Sequence, residues 1–141
     1  QKDGDIYRFV PSVAPLKEKY RISDRYGYRT HPISGERQFH AGLDMAAVYA
    51  ATVHAAASGT VTFAGETPGY GKTVVVTHRF GFQTRYAHLT LIYTRKGAKV
   101  EKGDVIGFVG STGISTGNHL HYEVIKNQKR INPLNFIYGT K

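Results

Sequence analysis

The chain has 141 residues, 40% hydrophobic and 21% charged, with a formal net charge of +9. That length suits one domain with its own core, and no apolar run is long enough to span a bilayer as a helix. Cysteine is absent, which excludes disulfides and thiolate metal sites and leaves His, Asp and Glu as the available metal ligands. The chain opens on Gln1 rather than Met, the mark of a trimmed or mature product whose upstream segments lie out of view. Residues 1–20, with two prolines and the mixed-charge "LKEKY", read as a strap or linker remnant. Beyond them the pattern is β. "AAVYAATVHAAAS" (46–58) carries Val48, Thr52 and Val53 and is read as a loop followed by a strand, not a helix. "GTVTFAGE" (59–66) alternates, with Val61 and Phe63 expected on one face. "KTVVVTHR" (72–79) and "FGFQTRYAHL" (80–89) form a hairpin marked by Gly81, and Tyr86 and His88 are expected to share a face. "DVIGFVGS" (104–111) and "HLHYEVI" (119–125) complete the strand set. No window sustains a helical period. The fold class is all-β: a compact antiparallel sandwich or distorted barrel.

The chemistry begins at "GNHLHYE" (117–123). In a strand His119 and His121 point the same way and Leu120 and Tyr122 the other; Glu123 joins the histidines. Upstream, "HAGLD" offers His40 and Asp44. A straight strand would hold those two about 13 Å apart, too far for ligands that each grip a zinc at about 2 Å. A bend at Gly42 is therefore expected, where glycine tolerates unusual backbone geometry. Two histidines and one carboxylate suit a catalytic zinc, one per chain, with a fourth position left for water. The chain has no H-E-x-x-H motif, so a histidine must serve as proton acceptor. His40, Asp44 and one of the 119/121 pair would hold the metal, and the other would be the base. The spacing does not say which is which.

"HAGLD", "RYAHL", "GDVIGFVGSTGISTG" and "HLHYE", in this order and spacing, resemble the LytM/lysostaphin-type zinc metallopeptidases, family M23. The resemblance covers roughly residues 21–138, so residues 21–141 are expected to be the peptidase domain. It implies that His40, Asp44 and His121 are the zinc ligands and that His119 is the catalytic base. It makes His88 a second catalytic histidine that positions water or stabilises the oxyanion. The implied fold is the family's antiparallel β domain with a substrate groove; Arg29 and Tyr86 are read as lining it, and His31, in the "RTHPISG" that leads into the site, as a groove residue or a fourth, inhibitory ligand. The implied activity is hydrolysis of peptide bonds in peptidoglycan cross-links or stem peptides, in the bacterial cell envelope, periplasmic or extracellular. Glycine bridges and D-amino-acid cross-links both remain open as the bond cut. Two features depart from the family pattern: Asn118 stands where Pro often precedes H-x-H, and the alanine-rich stretch after Asp44 replaces a Pro- and Gly-containing turn.

The rival function is a non-catalytic LytM-like module that binds the wall or activates an amidase; such modules typically lose ligands, whereas this chain keeps the full set. The scattered basic residues suit anionic cell-wall polymers. Nucleic acid is not expected, since neither a groove-reading helix nor an aromatic RNA-binding signature is present. Membrane contact is expected only through upstream segments, including an anchor. Glu123 is read as orienting a histidine rather than binding metal, and His54 and His78 as ordinary histidines.

Overall fold

The structure, a computed structural model, describes residues 2–30, 33–115 and 117–137, without the side chains of residues 2–5. A helix α1 (Lys2–Phe9) precedes twelve strands: β1 (Arg21–Asp24), β2 (Gly27–Thr30), β3 (Arg37–His40), β4 (Leu43–Ala46), β5 (Thr52–His54), β6 (Gly59–Thr67), β7 (Gly71–Thr77), β8 (Phe82–Ile92), β9 (Lys99–Val100), β10 (Val105–Val109), β11 (His119–Lys126) and β12 (Lys129–Ile131). Ten of them form one antiparallel sheet with the path β1-β4-β11-β8-β7-β6-β9; β12 adds to β11, and β5 to β10. Strands β2 and β3 form a separate hairpin.

The eleven-residue β8 joins the two arms of the large sheet. Its first half pairs with β11, from Phe82 to Ala87, and its end pairs with β10, from Leu89 to Ile92. Side chains from both arms meet in one core: Val53 of β5, Ile106 and Val109 of β10, Leu43 and Met45 of β4, Val74 and Val76 of β7, and Leu120, Tyr122 and Val124 of β11. Strict alternation along β11 drives this, burying Leu120 and Tyr122 in the core and leaving His119 and His121 on the opposite face. The all-β antiparallel expectation holds, and 47–51 followed by β5 is the loop-then-strand order read for the alanine-rich stretch.

Two local expectations fail. The strap contains α1, where no helix was expected. Its sequence has no apolar stripe and includes Gly4, and its support comes from far along the chain. The Lys102 ammonium donates to Tyr7 O at 2.6 Å, Val10 O at 3.2 Å and Ser12 Oγ at 2.6 Å, and lies 3.3 Å from the Tyr7 ring centroid. A cation on the last carbonyls of a helix offsets its dipole, and local periodicity cannot show that contact. The chain from 10 to 20 then runs beside β5: Leu16 is buried and bridges Val53, and His54 N donates to Pro15 O. The second failure is in β6. Val61 pairs with Val76 but Phe63 pairs with Val75, so a bulge between them sends Val61 into the core and Phe63 to the other face.

Candidate metal centre and catalytic cleft

Strand β3 ends at His40 and β4 begins at Leu43, so the chain breaks its extended course at 41–42, beside the glycine where a bend was expected between the two candidate ligands. Gly42 is needed there for space. A Cβ on it would lie 2.7 Å from Tyr122 O, 2.8 Å from His121 Cε1 and 2.9 Å from Glu123 Cγ, approaches that no side chain makes without displacing β11. Strand β11 pairs with β4 so that His121 stands opposite Asp44. The donor atoms of His40, Asp44 and His121 all lie within 4.8 Å of one another. His40 Nε2 is 3.3 Å from Asp44 Oδ2, and His121 Nδ1 is 2.7 Å from Asp44 Oδ1.

The far side of each imidazole is held. His40 Nδ1 lies 3.0 Å from Arg25 O; a carbonyl only accepts, so Nδ1 carries the proton and Nε2 faces the centre. His121 Nε2–H donates to Glu123 Oε2 at 2.8 Å, which leaves Nδ1 for the centre. Glu123 is fully buried and also accepts from the Tyr70 hydroxyl at 2.8 Å and Arg130 Nε at 3.0 Å. A carboxylate behind a histidine fixes the tautomer and raises the basicity of the ligating nitrogen. Two imidazoles and a carboxylate, with their outer atoms already bonded, fit a divalent ion such as zinc that keeps an open position.

The electrostatics fit a cation too. Burial would push Asp44 up, but hydrogen bonds from His121 and His40 outweigh it and hold the carboxyl well below the usual range. Burial would likewise keep His121 neutral, yet Asp44 and Glu123 raise it to about 9. His40 moves upward as well: burial opposes this, and Asp44 and the Arg25 carbonyl prevail. Glu123 is pulled down to about 2, against burial, chiefly by His121 and Arg130.

Two more imidazoles stand beside the centre. His119 Nδ1 is 3.0 Å from Gly117 O and 3.2 Å from Ser115 Oγ, and its Nε2 is 3.9 Å from Asp44 Oδ1. His88 Nδ1 is 2.6 Å from Thr112 O, and its ring centroid lies 4.8 Å from that of His119 and 6.0 Å from that of His121. In both rings the carbonyl contact puts the proton on Nδ1 and leaves a lone pair on Nε2. Burial, together with nearby His119 and His121, lowers the pKa of His88 against the pull of the Thr112 carbonyl. His88 has φ +62, and the β7–β8 register shifts between Lys72 and Val74. The alternation of β8 breaks there, and His88 turns into the cleft while Tyr86 turns away.

Tyr86 is therefore not a groove residue. It is fully buried, pairs across strands with Val74 and Tyr122, and its hydroxyl accepts from Ala56 N at 2.9 Å and meets Thr84 Oγ1 at 2.6 Å. Arg29 does line the cleft, bonded to Asp24 Oδ2 at 2.8 Å. His31 lies outside the described residues. The cleft, about 400 Å³, also takes in Asp24, Tyr70, Ile114 and Ser115. Sequence reasoning missed Asp24 and Tyr70. A tyrosine between two glycines at a hairpin tip, "GYG", was the available sign for the second.

An antiparallel sheet that carries a mixed imidazole–carboxylate centre in an open cleft is the arrangement of a metal-dependent hydrolase. The chain belongs to peptidase family M23, whose model matches residues 38–133. It is 48% identical over 120 residues to the DD-carboxypeptidase/endopeptidase Mpg of Neisseria meningitidis, an alignment covering 85% of this chain and 28% of that protein. It is 36% identical over 134 residues to the peptidoglycan DD-endopeptidase ShyA of Vibrio cholerae, covering 94% of this chain and 31% of the relative. Among solved structures, a zinc containing peptidase from Vibrio cholerae superposes with a TM-score of 0.80 at 32% identity, over 90% of this chain and 39% of that one. The chain thus spans about a third of the length of the curated relatives it matches.

Proposed function

We propose that this chain is the zinc-dependent endopeptidase unit of a peptidoglycan hydrolase acting on peptide cross-links in the bacterial cell envelope. The observation that carries this reading is the convergence of His40 Nε2, Asp44 and His121 Nδ1, with the Nε2 atoms of His88 and His119 free beside them. The names of Mpg and ShyA favour bonds between D-amino-acid residues over glycine bridges. Residues 21–141 would form the peptidase domain and 1–20 a strap along it. No helix of the described residues is long and apolar enough to cross a membrane.

His40, Asp44 and His121 would hold the zinc, which when bound polarises a carbonyl and lowers the pKa of a water molecule. His119 accepts the attacking water's proton at Nε2, with Nδ1–H anchored on Gly117 O, and later returns it to the leaving amine. His88 anchors Nδ1–H on Thr112 O and turns Nε2 toward the same space. There it would position the water or stabilise the oxyanion. Incubating zinc-loaded protein with purified peptidoglycan and identifying the released fragments by mass spectrometry tests the proposal. New amino termini within cross-links are the expected product. An uncleaved wall would leave a binding or amidase-activating module.

A further inference from the structure

The face of the sheet that bears His121 does not end at the metal centre. Cross-strand pairing carries it from Glu123 on β11 to Arg85 on β8, Val75 on β7 and Phe63 on β6. Regular alternation would have put Phe63 in the core with Val61, and the β6 bulge delivers it here instead, 36% exposed. Phe63, Val75, Pro68, Tyr70, Gln83 and Arg85 bound a second hollow of about 460 Å³. Pro68 and Tyr70 line the metal cleft as well, so the two hollows share one wall. The second hollow is thus the neighbour of the metal cleft across Pro68 and Tyr70.

The wall carries a cation without a full partner. The Arg85 guanidinium stacks 4.8 Å from the Tyr70 ring centroid, and its Nε is buried with no hydrogen-bond partner among the described residues. The carboxylate oxygen that it faces, Glu123 Oε1, is 3.9 Å from Nε, beyond hydrogen-bonding distance. That same oxygen already takes Arg130 Nε at 3.0 Å, and the other oxygen takes His121 and Tyr70. One carboxylate thus faces two guanidiniums, and positive charge is left over on the Arg85 side. No acidic side chain among the described residues lines the second hollow. An arginine fork beside an apolar floor of Phe63 and Val75 recognises a carboxylate attached to an aliphatic residue.

We propose that this hollow is a substrate subsite for the second peptide arm, and that Arg85 binds a free carboxylate on that arm. The inference rests on the peptidase reading and names a specificity determinant within it. The hollow selects cross-linked peptides with an unmodified carboxylate over amidated ones, and the metal cleft holds the bond to be cut.

The test uses two synthetic cross-linked peptides that differ only in amidation of the carboxylates, with zinc-loaded protein. For the wild type, amidation should raise KM about 10- to 100-fold, the range for a lost charge-assisted hydrogen bond, with a much smaller change in kcat. Arg85→Gln should bind the two peptides alike, and Arg85→Lys should keep part of the preference as a charge without the fork. Titration of the uncrosslinked acidic and amidated arms into zinc-free protein gives a second readout, in which only the acidic arm should bind and Arg85→Gln should abolish binding. Should Arg85→Gln fail to fold, the wild-type comparison and a Phe63→Ala variant, expected to raise KM for both cross-linked peptides by the same factor and so keep the preference for the acidic one, stand in for it. Equal KM values for the two peptides in the wild type, or a preference that survives in Arg85→Gln, would overturn the subsite alone. If the wild type cleaves neither peptide, the peptidase reading falls, and the arm titration still decides the subsite.

Discussion

Replacing Glu123 by Gln is the sharpest probe of how the centre is held. The carboxylate is fully buried and accepts three hydrogen bonds: His121 and Tyr70 on Oε2, Arg130 on Oε1. A glutamine supplies one acceptor oxygen. If that oxygen stays toward His121 and Tyr70, the NH₂ group faces Arg130 Nε, donor against donor. Breaking a fully buried ion pair costs about 3–5 kcal/mol; Arg130 is 42% exposed in its side chain and can turn to water, which reduces the expected loss to about 2 kcal/mol. The metal effect is separate. His121 keeps a neutral hydrogen-bond acceptor but loses the carboxylate that makes Nδ1 more basic, which is worth about 10- to 100-fold in metal affinity. Competitive zinc titration against a chelator measures the second effect, and thermal unfolding of metal-free protein the first. Zinc affinity equal to wild type, alongside a lowered Tm, would refute the orienting role and leave Glu123 a purely structural acid.

Further substitutions separate the roles of neighbouring groups. His119→Ala should retain zinc and lose about 10²- to 10⁴-fold in kcat, whereas His121→Ala should lose zinc, as metal analysis after dialysis would register; the opposite pair of results reverses the two assignments. Tyr86→Phe orphans the buried Ala56 N–H, so unfolding free energy should drop by about 1–3 kcal/mol with KM unchanged, and a raised KM would restore Tyr86 to the groove. His78 is buried, with Nδ1–H on Ser58 O and Nε2 accepting from Thr84; burial drops its pKa to about 4. The folded form therefore excludes a proton that the unfolded chain takes up below about 6.5, and the contribution is complete above that pH and lost as pH falls toward 4. The full span is worth about 3 kcal/mol, so denaturant unfolding should show a shallower pH slope in His78→Gln than in wild type between pH 6.5 and 4.

The parts of this molecule that obey alternation were legible in its sequence. Leu120 and Tyr122 face inward and His119 and His121 outward because β11 is a regular strand, and that regularity made two imidazoles on one face visible at once. The demand for a bend at Gly42 was equally readable, since two ligands cannot reach one ion from a straight strand. What the sequence concealed are the departures from alternation that nothing in their own residues announces. Tyr86 and His88 are two apart, and only the positive φ at His88 separates a core tyrosine from a cleft histidine. Val61 and Phe63 are also two apart, and only the β6 bulge sends Phe63 across the sheet.

Both departures have the same physical source. A strand that must fill a core on one side and furnish a working face on the other has one side chain in two for each. A site that needs a residue of the wrong parity can have it only where the ladder skips a step. In β8 the skip comes where the strand passes from pairing with β11 to pairing with β10, so the irregularity at that change of partner also aims His88. The strain of a histidine at φ +62 is held in place by the 2.6 Å bond from its Nδ1–H to Thr112 O and by Tyr70 O accepting from its backbone N–H. The change of pairing partner along β8 and the position of His88 in the cleft thus fall at one place in the ladder, which is why a reading that treats each strand as straight recovers the candidate ligands and misplaces the residues around them.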